Sequence, residues 1–257
     1  MNNITHYPLL VFALSFIVLW LSAWIGRAFL RRQRKLGEEM REDLNIILAA
    51  TLTLLGLIIG FSFSMAIERY DQRKNYEEGE ANAIGTEYLR ADLLPASDAA
   101  KIRVLLRNYL DQRVLFYMTQ HDQLLQQKIN THTAQLQNEL WSAIQAPAAA
   151  QPTPIVALAV SGMNDVLNSQ GYAQAALWNR IPTAAWVLMA VIAICCSLLV
   201  GYGLRTVTEG TKLHPVLPLV VSIALMLIAD IDTPHHGLIR VSPQNLISLA
   251  ESLRAPQ

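Results

Sequence analysis

The chain has 257 residues, zero formal net charge at neutral pH, 53% hydrophobic residues and 16% charged ones. Balanced charge, with no Lys/Arg-rich run interleaved with aromatics, argues against a nucleic-acid partner. Its two cysteines, Cys195 and Cys196, are neighbours inside an apolar run, which excludes a disulfide framework and leaves them as small apolar side chains.

The first apolar run, Pro8 to Leu30, has its positive charge after it rather than before it, and no small-residue cleavage site follows. It therefore reads as a permanent span and not as a cleaved signal. The second, Leu44 to Ile67, contains no Asp, Glu, Lys, Arg or His and is long enough at helical rise to cross a hydrocarbon layer about 30 Å thick. It is expected to continue as a helix past Ile67, since no proline occurs until Pro95.

Glu68 to Ile181 is polar, with mixed charges, and reads as helical throughout. Ser97 is expected to be an N-cap. After it, Ile102, Leu105, Leu106, Tyr109, Leu110, Leu115 and Phe116 recur at helical spacing. A further helix carries Leu125, Ile129, Leu136, Leu140 and Ile144. The prolines of Ala146 to Pro154 are expected to break the chain. A last helix, about Ile155 to Asn179, carries Leu158, Gly162, Met163, Val166, Ala173 and Leu177. Glu77, Glu78, Glu80 and Glu87 are expected on a solvated helix face. The third span is Pro182 to Leu204 and the fourth, shorter, Leu213 to Ala229.

The expected fold is thus all-α: a polytopic membrane protein with four transmembrane helices and an extramembrane helical bundle between helices two and three. Its divisions are residues 8–67, 68–181, 182–229 and a C-terminal tail, 230–257. The partners are the lipid bilayer and other copies of the chain. Lys and Arg are in narrow excess on the loops after spans one and three (Arg31, Arg32, Arg34, Lys35, Arg41, Arg205, Lys212) over Arg69, Arg73, Lys74, Arg180 and Arg240. That count places the bundle outside.

On a helical wheel of span two, Thr53, Gly56, Leu57, Gly60, Phe61 and Ser64 share one side, and Leu54, Leu55, Ile58, Ile59, Met65 and Ala66 the other. Gly56, Gly60 and Ser64 form a small-xxx-small series suited to close helix packing. The same stripe suits a pore wall, with Leu57 and Phe61 as apolar rings and Thr53 and Ser64 offering hydroxyls. Arg69 and Arg73 stand where they could draw anions into a vestibule, or anchor the helix at the headgroups. Asp230, Asp232, His235 and His236 are weak metal candidates. A helix stop at Asp-Thr-Pro with a reversal at Gly237 accounts for them without a metal. Nothing in the chain calls for a cofactor, and no nucleophile-base grouping points to an enzyme. No span carries a mid-membrane ionisable group, which disfavours a coupled transporter.

LLGLIIGFSFSMAIERYDQRKNYEEGEANAIGTEYLRADLLP, NRIPTAAW and ADIDTPHHGLIRVSP resemble the bestrophin-like family of bacterial membrane proteins. More distantly, GFSFSMAIERYDQRK and Ile181-Pro182 resemble the bestrophins themselves, which are homopentameric anion channels. The resemblance implies a homo-oligomer in the bacterial inner membrane. Span two would line the pore, with an apolar neck mapping to Thr53, Leu57 and Phe61, and small inorganic anions would be the permeant partners. It also implies a cytosolic bundle, against the charge count. Tyr70-Asp71 replaces the bestrophin tryptophan pair, and the aspartate-rich calcium clasp is absent, so calcium gating is not implied. A membrane-anchored scaffold or signalling protein without conduction stands as the alternative.

Overall fold

A computed structural model of the chain describes residues 7–32, 38–119, 122–203, 215–234 and 237–254. The described elements are α-helices, with one short 3-10 turn and no strand among them. In chain order they are α1 (Pro8–Arg32), α2 (Glu38–Arg90), the 3-10 turn Ala91–Leu93, α3 (Ala96–Met118), α4 (Gln123–Ala150), α5 (Pro154–Trp178), α6 (Thr183–Gly203), α7 (Val216–Asp232) and α8 (Gln244–Arg254). They form two compact units: residues 1–69 with 180–239, and residues 70–179 with 240–257.

The first unit holds the apolar helices. Among the described residues, three stretches are long and apolar enough to cross a membrane: Pro8–Ala28, one within Glu42–Leu93 and one within Pro154–Gly203. The apolar helix α7 has 17 residues. Helices α1 and α6 cross closely, because a Cβ at Gly26 would collide with the Leu198 carbonyl and one at Gly201 with the Ala23 carbonyl. Such backbone approach is how helices associate where lipid removes any hydrophobic gain from burial. On α6, Ala193, Ser197 and Gly201, four residues apart, are buried, and Gly201 lies at the crossing itself. Helix α7 packs on α1, and its buried residues include Val221, Ser222, Leu225 and Ile228.

In the second unit the core is aliphatic and aromatic: Ile84, Ile102, Leu106, Tyr109, Leu110, Phe116, Leu140, Ile144, Met163 and Val166, with Leu246 from α8. Two sequence expectations need correction here. Ser97 is not a cap: α3 begins at Ala96 after Pro95, with no side-chain capping bond. The true caps are Asp122, accepting from the Leu124 and Leu125 amides at 3.0 Å each, and Thr153, accepting from Val156 at 3.3 Å. The break expected within Ala146 to Pro154 is observed at residues 151–153, between α4 and α5; α4 runs through Pro147 to Ala150, since a proline this near a C-terminus costs one hydrogen bond of an already fraying turn. Leu115, Leu125 and Leu158 are exposed, and in α3 the buried position after Tyr109 and Leu110 is taken by Arg113.

The continuation of span two beyond Ile67 is observed: α2 is one helix of 53 residues. The chain beyond residue 229, read from sequence as a tail, includes helix α8, whose Leu246 and Ala250 are buried. Of the flanking cations, the side chains of Arg31, Arg32, Arg34, Lys35, Arg41, Arg205 and Lys212 lie outside those described.

Candidate functional site

The stripe on α2 that combines small residues with Leu57 and Phe61 is not covered by its own subunit. Thr53, Gly56, Leu57, Gly60, Phe61 and Ser64 are all exposed, Leu57 by 52% and Phe61 by 62%. A Cβ at Gly56 or Gly60 would meet nothing within 4 Å. The Thr53 hydroxyl donates to the Ala49 carbonyl at 2.8 Å. Of the three apolar stretches, the one in α2 is the least covered, with 11% of it buried against 28% in each of the others.

The packed side of the same helix is narrow. Leu55, Ser62 and Ala66 are buried. Leu54 and Met65, which the wheel groups with Leu55 and Ala66, are exposed. The buried residues follow a spacing of about seven with four-residue steps, the seam of a helix packed along one line.

The first-unit end of α2 is tied down by charge. Arg69 Nη1 donates to Asp232 Oδ1 at 3.4 Å, and the same carboxylate accepts the Ile181 amide at 3.1 and 3.2 Å. Asp232 thus joins α2, the entry to α6 and the end of α7. Asp230 accepts the Leu238 and Ile239 amides at 2.7 and 2.9 Å, fixing the turn after α7. A Cβ at Gly237 would crowd the Asp230 carbonyl, so the reversal there needs glycine. Both carboxylates are therefore occupied by backbone N–H groups. His235 and His236 lie outside the described residues, and among those described no group of three ligating side chains could hold a metal. Arg73, the second vestibule candidate, is 4% exposed. Its side chain is withdrawn from solvent.

The chain matches the Bestrophin-like domain family over residues 13–246. It belongs to that family. The fold agrees with solved bacterial bestrophin homologues. A single-substitution variant from Klebsiella pneumoniae superposes with a TM-score of 0.63 at 13% identity, covering 94% of this chain and 97% of the other. A structure described only as a membrane protein gives 0.63 at the same identity and coverage. A second Klebsiella pneumoniae variant gives 0.59 at 13% identity, with 93% and 98% covered. At such identities the likeness concerns the fold. No curated protein sequence matches the chain.

This bestrophin-like chain also contains polar residues that the sequence reading misplaced. Glu77, Glu80 and Glu87 are 1%, 0% and 0% exposed; of the four glutamates read as solvated, only Glu78 is exposed. Glu80 and Arg113 form a fully buried two-pronged ion pair, Nε to Oε1 and Nη2 to Oε2, the latter at 3.2 Å. The guanidinium lies 4.4 Å above the Phe116 ring. Burial first, and then the Glu80 charge, push the Tyr109 and Tyr117 phenols well above their ordinary range. Glu77 accepts the Leu246 amide at 3.0 Å and the Asn245 side-chain amide at 2.7 Å, so it caps α8 from another helix. A signal for these roles is in the spacing. Arg73, Glu77, Glu80, Ile84, Glu87 and Ala91 alternate by four and three residues, as a buried seam does.

Proposed function

We propose that this protein is an oligomeric anion channel of the bacterial inner membrane, with α2 helices from several copies lining a central pore. The observation that carries the proposal is the uncovered stripe of α2. Leu57 and Phe61 are too exposed within the subunit to be core residues, and Gly56 and Gly60 have empty space around them. A stripe of this kind is suited to face its own copies around an axis. There Leu57 and Phe61 would form apolar constrictions that gate by dewetting, with Gly60 giving room between them. Thr53 and Ser64 would supply hydroxyls on either side. Homo-oligomerisation is the reading, and a pentamer would follow the family resemblance. In this reading α7 is the fourth span; its 17 residues lie at the lower limit of length.

Arg69 and Arg73 lie beyond Ser64 along the same helix. Arg69 is shared with Asp232 and Arg73 is buried, so their contribution is a positive potential at the pore end, not direct ligation of an ion. The alternative is a membrane-anchored scaffold in which the stripe mediates assembly without conduction.

The test is halide flux from liposomes containing the purified protein. Leu57→Ala and Phe61→Ala are expected to raise flux several-fold, because a smaller side chain lowers the dewetting barrier. An intact oligomer that passes no halide as wild type or as either variant would leave the scaffold reading in place.

A further inference from the structure

Glu87 is the one glutamate of the α2 seam without an obvious reason to be there. It is 0% exposed, and neither carboxylate oxygen has a hydrogen-bond partner among the described residues. It occupies a notch on α5 made by Gly162, where a Cβ would collide with Glu87 Oε2 and with Arg90 Nη1. The two side chains thus converge on the same glycine. Arg90 is also 4.0 Å from Asp165 of α5, at the outer edge of ion pairing, with the Asp165 side chain 62% exposed. One guanidinium therefore stands between two carboxyl groups, one buried and one at the surface. The other charges of this neighbourhood are committed: Asp92 of the 3-10 turn pairs with Arg103 of α3 at 2.5 Å, and Glu80 pairs with Arg113.

We infer that Glu87, Arg90 and Asp165 form a proton-operated switch between α2 and α5, in which the protonation state of Glu87 decides which carboxylate holds Arg90. With Glu87 neutral, the guanidinium has a single anionic partner, Asp165, and the contact between α2 and α5 is closed over Gly162. With Glu87 ionised, a bare buried charge draws Arg90 inward and releases Asp165, and the edge of α5 around Gly162 loosens. The atoms balance simply: one proton leaves the Glu87 carboxyl to solvent, and one ion pair exchanges for another.

The environment sets the working range. Burial is the main cause that lifts the Glu87 carboxyl from its ordinary value to about 8; Arg90 opposes this and Asp165 adds to it. A carboxyl raised in the folded state stabilises the fold below its unfolded range, and that stabilisation is lost as pH climbs through the folded value. The switch therefore operates on the alkaline side of neutral, closed below and open above.

Infrared difference spectroscopy of the full-length protein in lipid nanodiscs, titrated from acidic to alkaline pH, tests the first half. A protonated carboxyl band should vanish near pH 8 in wild type and be missing in Glu87→Gln; a band unchanged by that substitution would overturn the assignment. Asp165→Asn tests the sharing of Arg90. Without its competitor, Glu87 should lose its proton at a lower pH, and an unmoved midpoint would show that Arg90 is not shared. Amide exchange gives the mechanical readout. After correction for intrinsic rates, exchange near Gly162 should rise between pH 6.5 and 9 in wild type and stay level in Glu87→Gln. Equal profiles in the two proteins would refute the loosening of α5.

Discussion

The two ends of helix α2 break the usual rule in opposite directions. Toward its N-terminus, in the first unit, the helix is apolar and its Thr53–Ser64 stripe is exposed. Toward its C-terminus, in the second unit, it carries the charges Arg73, Glu77, Glu80 and Glu87, and these are buried. The cause differs at each end. Apolar side chains can stay uncovered where lipid or another copy replaces water, because the drive to bury them comes from water alone. Charged side chains can be covered where each finds a partner before it loses its solvent. Glu80 has Arg113, and Glu77 has the amino end of α8. Glu87 lacks such a direct partner, and a proton takes its place.

The largest expected effect lies at the Glu80–Arg113 pair. Glu80→Ala leaves a guanidinium buried and uncompensated and should cost about 3–5 kcal/mol. The double replacement Glu80→Leu with Arg113→Met should lose much less than either single change. Thermal unfolding of the detergent-solubilised protein reads both. If the single and double variants unfold alike, the seam is not held by charge pairing.

The contrast within the first unit is next in size. Gly201→Ala places a methyl against the Ala23 carbonyl and should lower stability by about 1–3 kcal/mol, since the obstructing atom is backbone. Gly60→Ala meets no atom of its own subunit and should leave subunit stability unchanged. If Gly60→Ala dissociates the oligomer while Gly201→Ala leaves it assembled but less stable, the stripe is an intersubunit surface and the α1–α6 crossing an internal one. The reverse outcome would exchange the two assignments.

The smallest effect is at the trans cap. Glu77→Ala removes the acceptor of the Leu246 and Asn245 bonds and should weaken the seating of α8 by about 1–2 kcal/mol. Faster hydrogen exchange confined to residues 244–254 would register it. Exchange unchanged there would mean that apolar contacts of Leu246 and Ala250 hold the helix without the cap.

Most of the helical architecture is legible in the chain. The apolar runs, the unbroken passage of span two into the polar region and the helix from about Ile155 follow from composition and period. Gly26 and Gly201 at the α1–α6 crossing and Gly56 and Gly60 in α2 carry the same small-residue signal. Periodicity finds a small-residue face without telling which helix, if any, lies against it. That is why Gly56 and Gly60 proved open and Gly26 and Gly201 closed. Glu77, Glu80 and Glu87 depart from the solvated face expected of them for a related reason. A charged residue on a helix is normally solvated, and only its partner on another helix can reverse that expectation.

What the sequence determined by itself was a membrane-bound, all-helical chain, because the length of an apolar run and the 3.6-residue period are local properties of the backbone. The tertiary structure alone decided which stripe of α2 its own subunit leaves uncovered, where Asp230 and Asp232 direct their oxygens, and which glutamates lose their water. Those outcomes depend on pairs of residues far apart in the chain meeting at distances of a few ångströms, and no local pattern encodes a meeting.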